Sequence, residues 1–142
     1  MTLQDTINTI VSIAKTQPNI RTVILDDIYR LDAMPNAKYC VFGVTQNTHR
    51  WADNMLQISL NLYYIDRLTT DSHNELQIQS TGIEVLQNII SAFVEKCNLS
   101  VYNSIVEFHT FIQKFSDLTA GAYATLSFEI PTASTDCFED FN

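Results

Sequence analysis

The residues of this chain with chemical capacity are few and widely spaced. Its three histidines, His49, His73 and His109, fall in a polar loop, at a helix start and in a strand. Imidazoles scattered in this way supply neither a pair of ligands nor a base with its orienting partner. The nearest thing to an acid pair is Asp66 with Asp71, flanking Arg67 in the stretch LYYIDRLTTDSHNE. Two close carboxylates can split their pKa values and act as general acid and base, and with His73 they would make a small hydrolase site. The simpler reading assigns Asp71 or Thr70 to capping a helix, where a carboxylate also meets the positive end of the dipole, and pairs Arg67 with one of the acids. Asp26 and Asp27 read as a solvated edge or turn.

Other signatures of chemistry are missing from the sequence. It contains no GxSxG, HExxH or P-loop pattern, and its three glycines are too few for a phosphate-cradling loop. Cys40, Cys97 and Cys137 are an odd number at wide spacing, with no CxxC. That pattern indicates neither a disulfide framework nor a zinc site, and it fits a reducing compartment. The expectation is a protein without enzymatic activity, cofactor or metal.

The elements that must carry these residues follow from periodicity. Leu3, Ile7, Ile10, Val11 and Ala14 share one helical face, and Thr2 with Asp5 resembles a capping box. A β-rich run predicts a strand around Thr22 to Tyr29, the turn Met34-Pro35-Asn36-Ala37 follows, and Tyr39 to Thr45 reads as a second strand in which Gly43 marks a bulge or close approach. Asn47 to Asn54 is a polar loop that carries His49, Arg50 and Trp51, the one tryptophan. The clearest strand begins at Leu56: Leu56, Ile58, Leu60, Leu62 and Tyr64 lie on one face, Gln57, Ser59, Asn61 and Tyr63 on the other.

A long helix is expected to start from N-caps at Thr69 to Ser72 and to carry Ile83, Leu86, Ile90, Phe93, Val94 and Cys97 inward. Its first half is poor in apolar residues, which predicts a projection beyond the core or a break near Gly82. Strands at Val106 to Phe115 and at Gly121 to Ile130 complete the order α-β-β-β-α-β-β. Without βαβ alternation this predicts one α+β domain over 1–131, a mostly antiparallel sheet with helices on one face. Residues 132–142 read as an acidic-aromatic C-terminal arm: either a frayed terminus, or a segment whose Phe138 and Phe141 are spaced to anchor in a partner's groove.

Composition limits the partners. With 8 basic and 16 acidic residues the net charge is −8, so the surface repels nucleic acid, although an acid-lined ring would let a duplex pass without sticking. No apolar run approaches the ~18 residues of a membrane span. The N-terminus has an acid where a secretory signal carries Lys or Arg, so the protein is expected to stay where it is made. Charged residues make up only 17% of the chain. Faces rich in Asn, Gln and apolar groups desolvate against a partner at lower cost than faces of Lys and Glu, which suits an oligomer. The outer face Gln57, Ser59, Asn61 and Tyr63 also lacks the lysines that protect sheet edges in monomers.

The element order, with the stretches DDIYRL (Asp26 to Leu31), VFGVTQNTH (Val41 to His49), LYYIDRLTTDSHNELQIQSTG (Leu62 to Gly82) and FIQKFSDLTAGAYATLSFEIP (Phe111 to Pro131), resembles the tail terminator, tail-completion and neck ring proteins of tailed bacteriophages. It is most similar to tail and neck proteins of crAss-like phages that infect Bacteroides-type hosts, and the similarity covers nearly the whole chain. The resemblance implies a structural virion protein, assembled in the host bacterial cytoplasm. It would form a ring of six or twelve copies that joins portal or head to tail and lets DNA through. It makes His49, Arg50 and Trp51, together with Phe138 and Phe141, candidates for contact with neighbouring virion proteins; Asp66 and Arg67 join them. A cytoplasmic adaptor that binds a partner protein through a sheet edge is the alternative.

Overall fold

In the computed structural model the described residues are 2–25, 38–69, 74–97, 100–101, 106–114 and 118–131. They form helices α1 (Leu3–Lys15) and α2 (Glu75–Cys97) and strands β1 (Thr22–Ile24), β2 (Val41–Gln46), β3 (Arg50–Ala52), β4 (Met55–Arg67), β5 (Ser100–Val101), β6 (Phe108–Lys114) and β7 (Leu118–Pro131). The architecture is the expected α+β one, with short β3 and β5 added to the predicted order.

Helix α1 starts where its first turn can satisfy its own donors. The Asp5 N–H donates to Thr2 Oγ1 at 3.1 Å and the Thr2 N–H donates to Asp5 Oδ2 at 3.0 Å, the reciprocal capping box. Buried Thr6 satisfies its hydroxyl on the Thr2 carbonyl, while Ile10, Ile13 and Ala14 turn inward.

The sheet is built around β4 and β7, which pair antiparallel over their whole length from Met55 with Pro131 to Arg67 with Thr119. β2 pairs antiparallel with β4, and β1 adds a short parallel strand outside β2. β3 continues along the same side of β4, and β5 and β6 share the far side of β7. Pairing runs unbroken through Gly43, opposite Tyr63, so no bulge forms there.

Alternation decides which side is wet. Ile58, Leu60, Leu62 and Tyr64 of β4 face the same side as Ala122, Ala124, Leu126, Phe128 and Ile130 of β7, all buried. α2 packs across both strands, and α1 packs on α2. Phe93 of α2 meets Phe128 edge to face at 5.2 Å between ring centres. Burying a side chain of this size stabilises the fold by roughly 1.5–3 kcal/mol. The alanines of β7 keep the surface flat enough for α2 to lie close, and Gly82 occupies the closest point: a Cβ there would sit 2.9 Å from the Tyr64 ring and 3.3 Å from the Ala122 methyl.

Three expectations are therefore corrected. α2 is continuous through Gly82, and its first half is anchored by buried Ile78 instead of projecting. Gly82 is tolerated in mid-helix because the sheet approaches it, which outweighs its low propensity. The helix also starts later than Thr69 to Ser72: Asn74 is the residue ahead of Glu75, and its carbonyl accepts from the Ile78 N–H at 2.9 Å. Asp71, Thr70 and His73 lie outside the described residues, as do Asp26, Asp27 and the predicted turn at Met34 to Ala37. No helix among the described residues is long and apolar enough to cross a membrane.

Candidate partner-binding surfaces

The strand alternation that buries one side of the sheet leaves the other side facing away from both helices. Three groups of side chains stand on that side or at the ends of β4.

The first group is an uncharged ladder that runs from Asn47, just after β2, across β4 and β7. Asn47 and Asn61 exchange two side-chain hydrogen bonds, each 3.0 Å long. Thr125 Oγ1 donates to Asn61 Oδ1 at 2.7 Å and Ser127 Oγ donates to Ser59 Oγ at 3.1 Å. Further along the same face Tyr63, Tyr123 and His109 stack in a row across β4, β7 and β6, with ring centres 5.4 and 5.0 Å apart. Phe111 leans its edge on Tyr63 and covers Gly121, its registered neighbour. Mutual bonding leaves these polar groups with little demand for water, so the face can be covered at low desolvation cost.

The second group corrects the loop predicted at Asn47 to Asn54, which is a hairpin: β3 pairs with β4 through Ala52 and Met55, leaving Asp53 and Asn54 as a two-residue turn. Both have positive φ, 52° and 59°, as a type I′ turn requires, and Asp and Asn are the non-glycine residues that best accept that region. His49 is tied to the sheet: its Nδ1 accepts from the Ser59 N–H at 3.4 Å, so the proton belongs on Nε2, which donates to Gln46 Oε1 at 3.1 Å. Trp51 is 62% exposed and Arg50 is exposed beside it.

The third group lies at the opposite end of β4. Consecutive residues point to opposite faces, so Asp66 and Arg67 part company. Asp66 turns to the helix side and lines an open recess of about 280 Å³ with Cys40, Tyr64, Asn74, Gln77 and Thr81. There the Tyr64 hydroxyl donates to Cys40 Sγ at 2.9 Å. Burial pushes the Cys40 thiol up to about 11; donation from Tyr64 opposes the rise and the nearby Asp66 adds to it. Burial also raises the Tyr64 phenol, with the Cys40 contact reinforcing it. This thiol stays protonated at neutral pH, so it is a poor nucleophile. Asn74 closes the corner by accepting from the Thr69 N–H at 2.8 Å and donating to the Arg67 carbonyl at 3.3 Å.

On the other side Arg67 lies over the Tyr39 ring, 5.0 Å from its centre. With Arg21 and Lys38 these two line a second open recess of about 260 Å³. The sequence shows no run of basic residues, yet three of its eight cations converge here. Sequence reasoning named Arg67 and missed Arg21 and Lys38, because a parallel strand pair brings them in from separate parts of the chain.

The candidates named from sequence thus fall into two separate groups, His49, Arg50 and Trp51 at one end of β4 and Asp66 and Arg67 at the other. Phe138 and Phe141 lie outside the described residues. Among the described residues no three of His, Cys, Asp and Glu converge as a metal site would need. The chain matches no protein-family model, and the search of curated proteins finds no match to it.

Proposed function

We propose that this chain is a structural virion protein of a phage neck or tail, working as one copy in a ring that joins portal or head to tail and lets DNA pass. The observation that carries the reading is the side of the sheet turned away from α1 and α2: an uncharged, internally bonded ladder and a row of stacked rings spread over β4, β7, β6 and Asn47, the residue that follows β2. A surface of that kind serves burial against protein neighbours better than turnover of a small molecule. The net charge of −8 supports the second half of the reading, since an acidic lumen repels the DNA backbone and lets it slide.

Light scattering with mass measurement tests it. A ring gives a mass many times 16.2 kDa, and Asn61→Lys, which places a charge in the middle of the ladder, reduces that mass while leaving the melting transition in place. A chain that stays at 16.2 kDa alone and when mixed with portal and tail proteins overturns the reading. A second reading, a cytoplasmic adaptor that accepts a partner strand, draws on β1: among the described residues this strand pairs only with β2, which leaves its other edge as a template. A monomer that binds one partner protein with one-to-one stoichiometry would favour it.

A further inference from the structure

The basic recess and the end of β7, from which the acidic segment continues, stand at opposite ends of the same strand pair. Arg67 is registered with Thr119, and Pro131, where β7 ends, is registered with Met55. Thr119 and Pro131 are twelve residues apart, which at about 3.3 Å per residue puts the recess roughly 40 Å from the point where the arm leaves the sheet. The segment beyond Pro131 carries Asp136, Glu139 and Asp140 interleaved with Phe138 and Phe141. Asp140 stands nine residues past Pro131, and a fully extended chain of that length spans only about 30 Å. The side chains of Asp140 and Arg67 together span the remaining gap of about 10 Å, but Asp136 is only five residues past Pro131 and ends roughly 20 Å short, so the segment as a whole does not reach the recess of its own subunit.

We propose that the recess lined by Arg21, Lys38, Tyr39 and Arg67 receives the segment Asp136 to Phe141 of a second copy of this chain. The match is chemical as well as geometric. Three cations around an aromatic ring meet three acids, with Phe138 between the first and the second and Phe141 after the third. Guanidinium groups pair with carboxylates and stack on rings, so Arg21 and Arg67 can engage both kinds of side chain. A donor at one end of the sheet and an acceptor at the other make the contact head to tail, and such a contact generates a closed ring or an open filament instead of a two-fold dimer.

The inference rests on the self-assembly reading above, and the test separates the two. Mass is measured by light scattering for the full chain, for a recess variant (Arg21→Glu with Lys38→Glu) and for an arm variant (Asp136→Lys, Glu139→Lys and Asp140→Lys). A labelled peptide of residues 132–142 is titrated against the full chain and the recess variant at low and high salt. The expected result is loss of assembly in each variant alone and recovery in their equimolar mixture, because the reversed charges complement one another. Peptide affinity falls about tenfold or more in the recess variant and also falls at high salt. A recess variant that keeps the wild-type mass overturns the contact and leaves the ring standing. A full chain that stays monomeric yet binds the peptide at the recess upholds the contact and removes the ring. A monomer that ignores the peptide overturns both. The mixture guards against misfolding, since two unfolded variants cannot restore each other.

Discussion

The Tyr64 hydroxyl donates to Cys40 Sγ across 2.9 Å, diagonal to the registered pair Phe42 and Tyr64, and ties the chain entering β2 to β4 beneath α2. The bond holds two weak acids side by side, Tyr64 buried and Cys40 partly so, and burial raises both.

Cys40 should accordingly react slowly. Alkylation at pH 8, followed by mass spectrometry, is expected to modify Cys40 more slowly in the folded chain than in the urea-unfolded chain; equal rates would show the thiol to be accessible and ionised. The folded state holds the proton to about 11 and the ordinary value is 9.0. Between those values the unfolded chain is the one that loses protons, so stability falls as the pH rises from 9.0 towards 11. Cys40→Ala should flatten that decline in urea melts taken across the range.

Gly121 and Gly82 should respond very differently to a methyl group. A Cβ on Gly121 would overlap the Tyr64 carbonyl, which is backbone, and press on the Phe111 ring. Gly121→Ala should therefore cost about 3 kcal/mol or more by forcing β4 and β7 apart. Gly82→Ala crowds only the Tyr64 ring and the Ala122 methyl. The gain in helix propensity, about 0.5–1 kcal/mol, offsets most of that crowding. Urea unfolding of the two variants checks the contrast, and similar losses would contradict it.

The turn at Asp53 and Asn54 is a local constraint with a measurable cost. Asn54→Val puts a β-branched residue at a φ of 59°, which should destabilise the hairpin by about 1–2 kcal/mol. Backbone amide exchange at Trp51 and Leu56 should accelerate, while exchange in the core of α2 stays unchanged.

The capping box makes α1 acid-sensitive. Hydrogen bonds from Thr2 hold the Asp5 carboxyl below its ordinary value of 3.8. Its contribution is thus complete above that value and lost as the pH falls through the lowered one. Thr2→Ala should cost about 1 kcal/mol at neutral pH. That substitution keeps the Thr2 backbone N–H from which the Asp5 carboxylate accepts, so part of the acid-dependent loss persists in Thr2→Ala and disappears in Asp5→Ala; calorimetric melts at neutral and strongly acid pH decide it.

The sequence by itself determined most of the features that depend on near neighbours. Thr2 and Asp5 are three residues apart and meet in any helix that begins there, so the cap was legible. Leu56 to Tyr64 and Ala122 to Ile130 alternate because side chains of a strand alternate, and one buried face repeats that period. What sequence misjudged locally was the hairpin, where Asp53-Asn54 lacks the glycine that usually marks such a turn, and Gly82, whose packing reason lies on a different element.

Tertiary structure alone decided which distant residues share a place. Arg21, Lys38 and Arg67 are separated along the chain and converge because β1 runs parallel to β2 beside the end of β4. Asp66 and Arg67, adjacent in sequence and both candidates for partner contact, face opposite sides of the sheet. The physical reason is the same in both cases. A strand's pleat sends neighbours apart, and only the hydrogen-bonded register between strands states who stands next to whom.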